Sequence, residues 1–208
     1  MRRVFAATFS LLAAAPSVSF AACQDDVVAA FNKQRKSAAF RVEMAQPTAE
    51  GPVTVRVDYV PPNKMLQTVT GGNMPGEQQT LLDGDRAFAG TSGAYEELLP
   101  QYTQSIAAEV KTALGQAPEN LGEFECLGKV VFEGKDLLAY RTKPAADAKA
   151  GEASLTRTVY VDPASGLPAF NVINPAKAGE PPVMKAVYTY PTGIVIEAPQ
   201  GAPVQKTK

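Results

Sequence analysis

The chain has 208 residues, with 20 Lys and Arg against 21 Asp and Glu, no His, no Trp and 2 Cys. A net charge of −1 with no basic cluster gives nucleic acids and anionic membrane surfaces nothing to hold. The absence of His removes the usual general base, the commonest metal ligand and the Ser–His and Cys–His nucleophile pairs together.

Arg2 and Arg3, followed by apolar Val4 to Ala15, read as an export signal whose apolar part is too short to span a bilayer. Ser19 and Ala21 are the small residues that a signal peptidase accepts at −3 and −1, so residues 1–21 are expected to be removed. Losing Arg2 and Arg3 leaves 18 basic residues against 21 acidic ones, a net charge of −3. No later run is apolar and long enough to be a transmembrane anchor, and the expected compartment is the periplasm. There Cys23 and Cys126 are expected to form one disulfide. The bond closes a loop of about 104 residues, worth roughly 4–5 kcal/mol of chain entropy. The alternative is a lipoprotein. Phe20-Ala21-Ala22-Cys23 loosely resembles a lipobox with Phe where Leu is usual, and acylation of Cys23 would leave Cys126 without a partner.

One domain over residues 22–198 is the expectation, with a loose tail over 199–208. A helix is predicted from Asp25 to about Ser37, with Val27, Val28 and Phe31 on one side and Lys33, Arg35 and Lys36 near its negative dipole end. Phe40–Met44 alternates, and so does 53–60, where Val53, Val55, Val57 and Tyr59 share one face. Met65–Thr70 is a further strand, and 80–89 is a hairpin around Asp83-Gly84. A second helix follows Pro100, with Tyr102, Ile106, Val110 and Leu114 at helical spacing until Gly115. Antiparallel strands are then predicted at about 123–133, 136–143, 154–162, 167–174, 183–190 and 193–198, with a solvated loop at 145–153. The fold class is α+β.

Residues that could carry chemistry have simpler readings. Asp162-Pro163, with Gly166 behind, is what a tight turn requires. Asp83-Gly84-Asp85 offers two carboxylates where a calcium loop needs more oxygen ligands. Tyr160, Tyr188 and Tyr190 could form a stacking platform, but strand tyrosines more often pack. There is no G-x-S-x-G, no G-x-G-x-x-G, no Walker loop and no C-x-x-C. No catalytic, metal or cofactor site is assigned.

Four short runs stand out: Ala39-Phe-Arg-Val-Glu, Tyr59-Val-Pro-Pro-Asn-Lys-Met-Leu66, Thr80-Leu-Leu-Asp-Gly-Asp-Arg-Ala-Phe88 and Gly93-Ala-Tyr-Glu-Glu-Leu-Leu-Pro100. In this order they resemble the lipoprotein-carrier superfamily, the LolA/LolB-like proteins of the bacterial envelope. Val161-Asp-Pro-Ala-Ser-Gly-Leu-Pro168 is similar to a late hairpin of the wider superfamily, and Ala198-Pro-Gln-Gly201 to a C-terminal ending. The resemblance implies an incomplete, half-open antiparallel barrel of about ten strands wrapped over the N-terminal and middle helices, with an apolar cavity that takes acyl chains. In the carrier itself a basic residue before the corner proline helps latch the helical lid, whereas this chain has Pro61 there. A divergent relative is therefore expected.

The expected cavity residues are Phe31, Val55, Val57, Met65 and Leu82, with Phe88, Ile106, Val110, Val159 and Tyr188. Strands such as 183–190, apolar on both faces, suit either such a cavity or ordinary packing against the helices. The leading expectation is a monomeric, non-enzymatic periplasmic protein that binds lipid or another amphiphile. The alternative is an envelope scaffold with a filled core that meets a protein partner.

Overall fold

The computed structural model describes residues 20–115, 123–142, 155–175 and 179–206. Most of the expected leader and all of the 145–153 loop lie outside them. Two helices, α1 (Phe20–Arg35) and α2 (Pro100–Leu114), accompany one sheet of 11 strands. Before α2 come β1 (Phe40–Thr48), β2 (Gly51–Val60), β3 (Lys64–Gly71), β4 (Gln78–Asp83), β5 (Arg86–Thr91) and β6 (Ala94–Glu97). After it come β7 (Phe124–Phe132), β8 (Lys135–Thr142), β9 (Leu155–Val161), β10 (Pro168–Pro175) and β11 (Met184–Thr189).

The strand order is β6-β5-β4-β3-β2-β1-β11-β10-β9-β8-β7. Each half is a meander of neighbours in sequence, and the two are joined where β1 pairs antiparallel with β11, Val42 opposite Tyr188. The outer strands β6 and β7 do not pair with each other, so the barrel stays open, and α2 lies in the connection between them. This is the half-open α+β architecture expected, with one strand more than the count of about ten. Ala94–Glu97 is the strand the sequence left out. It fits against β5 because Gly90 has no side chain: a Cβ there would collide with the Ala94 carbonyl.

The face a residue occupies follows from strand alternation and from the registers. On the helix-bearing face α1 buries Cys23, Val27, Ala30 and Phe31 against Phe124, Tyr140, Val159 and Val161. Cys23 is bonded to Cys126, which fastens the first turns of α1 to β7.

The outer face is apolar too, which explains why the strands alternate poorly. Leu137, Phe170 and Val172 are buried there with Phe132 and Tyr160, whose rings stack at 4.1 Å. Beyond them Leu81 and Phe88 are covered by Ile196. The 193–198 segment is not a strand of the sheet. It is a strap laid across the outer face, held where Lys64 Nζ donates to the Ile196 carbonyl (3.0 Å) and the Ala198 N–H donates to Asp83 (3.0 Å). The tail expected to be loose is tied down as well. The Glu97 N–H donates to the Pro203 carbonyl, the Gln205 N–H donates to the Glu97 carbonyl, and Val204 bridges Glu97 in parallel.

Candidate functional site

The helix-bearing face holds two apolar patches. Under α2, Val57, Met65, Leu82 and Ala87 are buried with Val110, and Val55, Tyr59 and Ile106 pack at the rim. Val110 is the one fully buried side chain of α2, and no side chain caps its N-terminus, where Leu99 precedes Pro100. A helix held by so little burial is weakly fastened. The same face continues past the helix: Gln67 and Val69 follow Met65 in alternation, and Thr80 and Gln78 do the same from Leu82. These residues, with Ala89 and Thr91, line a cleft of about 570 Å³. A greasy patch under a lightly held helix thus runs out into a wet, amide-lined opening.

The second patch lies under α1. Phe31 meets Tyr188 edge-on at 6.0 Å, with Val159 nearby. Two half-buried arginines stand over the same Phe31 ring: Arg157 at 5.5 Å from its centre and Arg35 at 6.0 Å. Arg157 Nε donates to Asn171 Oδ1 and Arg35 Nε to the Ala113 carbonyl, both at 2.9 Å, the latter joining the ends of α1 and α2. Burial lowers both guanidiniums from their ordinary value and pushes the Tyr188 phenol up. From the sequence alone Arg35 reads as a helix-dipole cation, and Arg157 does not stand out.

The ten expected cavity residues therefore divide. Val55, Val57, Met65, Leu82, Ile106 and Val110 come together under α2. Phe31, Val159 and Tyr188 come together under α1. Phe88 joins neither: it pairs with Leu81, so it points to the outer face beneath the strap, while Ala87 takes the place opposite Leu82.

The acidic turns have structural duties. Asp162 accepts from the Ala164 N–H (2.9 Å) and the Ser165 hydroxyl (2.8 Å), and its own carbonyl accepts from the Gly166 N–H (2.7 Å). Gly166 supplies the positive φ of 65° that closes this hairpin. A cleft of about 450 Å³ adjoins the turn, lined by Lys135, Asp136, Asp162, Ser165, Pro168 and Tyr190 among others. The Ala164 N–H above all, then the Ser165 hydroxyl, holds the Asp162 carboxyl below its usual value. A depressed pKa stabilises the fold above the unfolded-state value and is lost as pH falls through the folded one. Asp162→Ala is expected to cost about 0.5–2 kcal/mol at neutral pH, like losing a cap, and to flatten the acid limb of the stability–pH curve below about pH 4. Urea melts across pH test this; an unchanged acid limb contradicts it.

Asp83 is drawn down by Lys64 at 2.9 Å and also holds the strap. Among the described residues no cluster of His, Cys, Asp and Glu could hold a metal ion. The tyrosines make no common platform. Tyr160 stacks on Phe132 on the outer face, Tyr188 faces α1, and Tyr190 donates to the Pro168 carbonyl while accepting from Gln34.

No protein-family model and no curated protein matches the chain. Solved structures do. The lipoprotein LppX of Mycobacterium tuberculosis matches with a TM-score of 0.57 at 12% identity, over 86% of this chain and 100% of LppX. LprF from Mycobacterium bovis matches with a TM-score of 0.50 at 12% identity, over 87% of this chain and 98% of LprF. The chain shares the fold of LppX and LprF. A LolA-superfamily protein from Nitrosomonas europaea matches at a TM-score of 0.32 and 11% identity, over 83% of this chain and 92% of that one. At these identities the likeness to LppX and LprF is one of fold.

Proposed function

We propose that this chain is a non-enzymatic periplasmic binding protein that takes a lipid or another apolar ligand between its sheet and α2. The carrying observation is the apolar patch of Val55, Val57, Met65 and Leu82 under a helix that buries only Val110, opening into the cleft beyond it. An acyl chain sliding under α2 replaces weak helix packing with its own burial, at roughly 0.8 kcal/mol per methylene. About fifteen methylenes contribute roughly 12 kcal/mol, which leaves micromolar affinity, about 8 kcal/mol, after a cost of about 4 kcal/mol for ordering the ligand and the helix. The bond between Cys23 and Cys126 suits an oxidising compartment outside the cytoplasm. Among the described residues no helix is long and apolar enough to cross a membrane.

Titration with a fluorescent fatty acid tests this reading. The wild-type chain is expected to bind it in the micromolar range, and Ile106→Arg or Val55→Arg to weaken binding at least tenfold with little loss of stability, because both side chains are only half-buried. Val57 and Val110 are fully packed, so the same change there reports stability rather than binding. A wild-type chain that binds no such probe overturns the proposal and puts the filled-core interaction protein in its place.

A further inference from the structure

β9 carries an anomaly. Leu155, Arg157, Val159 and Val161 share one face of the strand, and Val159 and Val161 are buried against α1. A guanidinium in that row sits where the alternation calls for an apolar side chain. One helical turn after Phe31, Arg35 brings a second guanidinium to the same ring, so both stand within 6.0 Å of its centre. Their polar partners are neutral: the Asn171 amide for Arg157 and the Ala113 carbonyl for Arg35. Arg35 Nη1 is buried and bonded to nothing. Among the described residues the ion pairs lie elsewhere, at Arg41–Asp58, Lys64–Asp83, Arg86–Glu97, Arg141–Glu125 and Lys185–Glu133. Tyr188, beside both arginines, is no counter-ion, because burial keeps its phenol protonated at neutral pH.

An arginine does not shed its proton at physiological pH, so two half-buried positive charges here face no negative one among the described residues. Such charges are unfavourable until an anion meets them, and the planar fork of a guanidinium suits the paired oxygens of a carboxylate or phosphate. We infer that Arg35 and Arg157 form a headgroup site, binding the anionic oxygens of an amphiphile whose tail lies under α2. This rests on the proposed chamber and adds its chemical selectivity: single-chain or larger lipids with an acidic head, rather than neutral or cationic ones. The hydrogen bond from Arg35 to the Ala113 carbonyl puts the site at the end of α2, so a tail running back along the helix reaches Val110 and Ile106.

Competition against the fluorescent fatty acid with matched ligands tests the inference. Hexadecyl phosphate and palmitate are expected to bind the disulfide-bonded chain at least tenfold more tightly than hexadecanol. Arg157→Gln should cut the ratio of acid to alcohol affinity several-fold, and Arg157→Lys, which keeps the charge, should retain more of it. If the acids and the alcohol bind alike, the headgroup site is refuted although the chamber stands. If neither binds, the chamber itself fails. Inorganic phosphate competing as well as hexadecyl phosphate would make the ligand a free anion and overturn the headgroup assignment. The wild-type comparison of acid with alcohol needs no variant, so the inference stays testable even where Arg157→Gln folds poorly.

Discussion

Reducing the bond between Cys23 and Cys126 is expected to lower the stability of the folded chain by roughly 3–5 kcal/mol. The bridge spans a sequence separation of 103, and freeing a loop that long returns much conformational entropy to the unfolded chain. The folded state changes far less. Val27, Ala30 and Phe31 still hold α1 against Phe124, Tyr140 and Val159. Reduction should therefore leave the helix docked and the circular dichroism spectrum nearly unchanged in buffer. At a urea m-value of about 2 kcal/mol/M, the loss moves the unfolding midpoint down by about 2 M. Intact mass of the chain purified from its native cells should lie two hydrogens below the reduced value and carry no acyl group. An unmoved midpoint contradicts the energetic argument, and a lipid on Cys23 reinstates the lipoprotein reading.

The order of strands was legible because turn residues mark it: Asp83-Gly84 between β4 and β5, and Asp162 through Gly166 between β9 and β10. The faces were less legible, because adjacent apolar residues leave the alternation undecided. Leu81 and Leu82 are both buried, one outward and one toward α2. Only the register across the Asp83–Arg86 turn shows that Ala87 accompanies Leu82 and Phe88 accompanies Leu81. Counting Phe88 with the inward set is a slip of a single residue, which is enough to change its face. The arginine pair had a faint signal: an Arg in register with Val159 and Val161, and another four residues after Phe31, on the same side of a helix. Neither means much until the fold brings them to one ring, since basic residues near the end of a helix are expected on dipole grounds alone.

The strap carries the other large effect. Truncation after Gly193 is expected to cost at least about 4 kcal/mol and to make the outer face adhesive to hydrophobic dyes. Ile196 is 3% exposed and covers Leu81 and Phe88, while Ile194, Ala198 and Ala202 fill in around it. Burying one such side chain is worth about 1.5–3 kcal/mol, and stripping the strap also bares the leucine and the phenylalanine beneath. Asp83 then loses the Ala198 N–H, and the β6 edge loses its bridge to Val204. Ile196→Ala isolates the packing part and is expected to cost about 2–5 kcal/mol, as buried large-to-small changes do. Because the strap and the α2 patch lie on opposite faces of the sheet, Ile196→Ala should leave fatty-acid affinity unchanged at temperatures where the variant is folded. Denaturant melts and probe titrations on the same samples separate the two effects. Lost affinity with little lost stability would place Phe88 and its neighbours in the ligand chamber and overturn the assignment of faces.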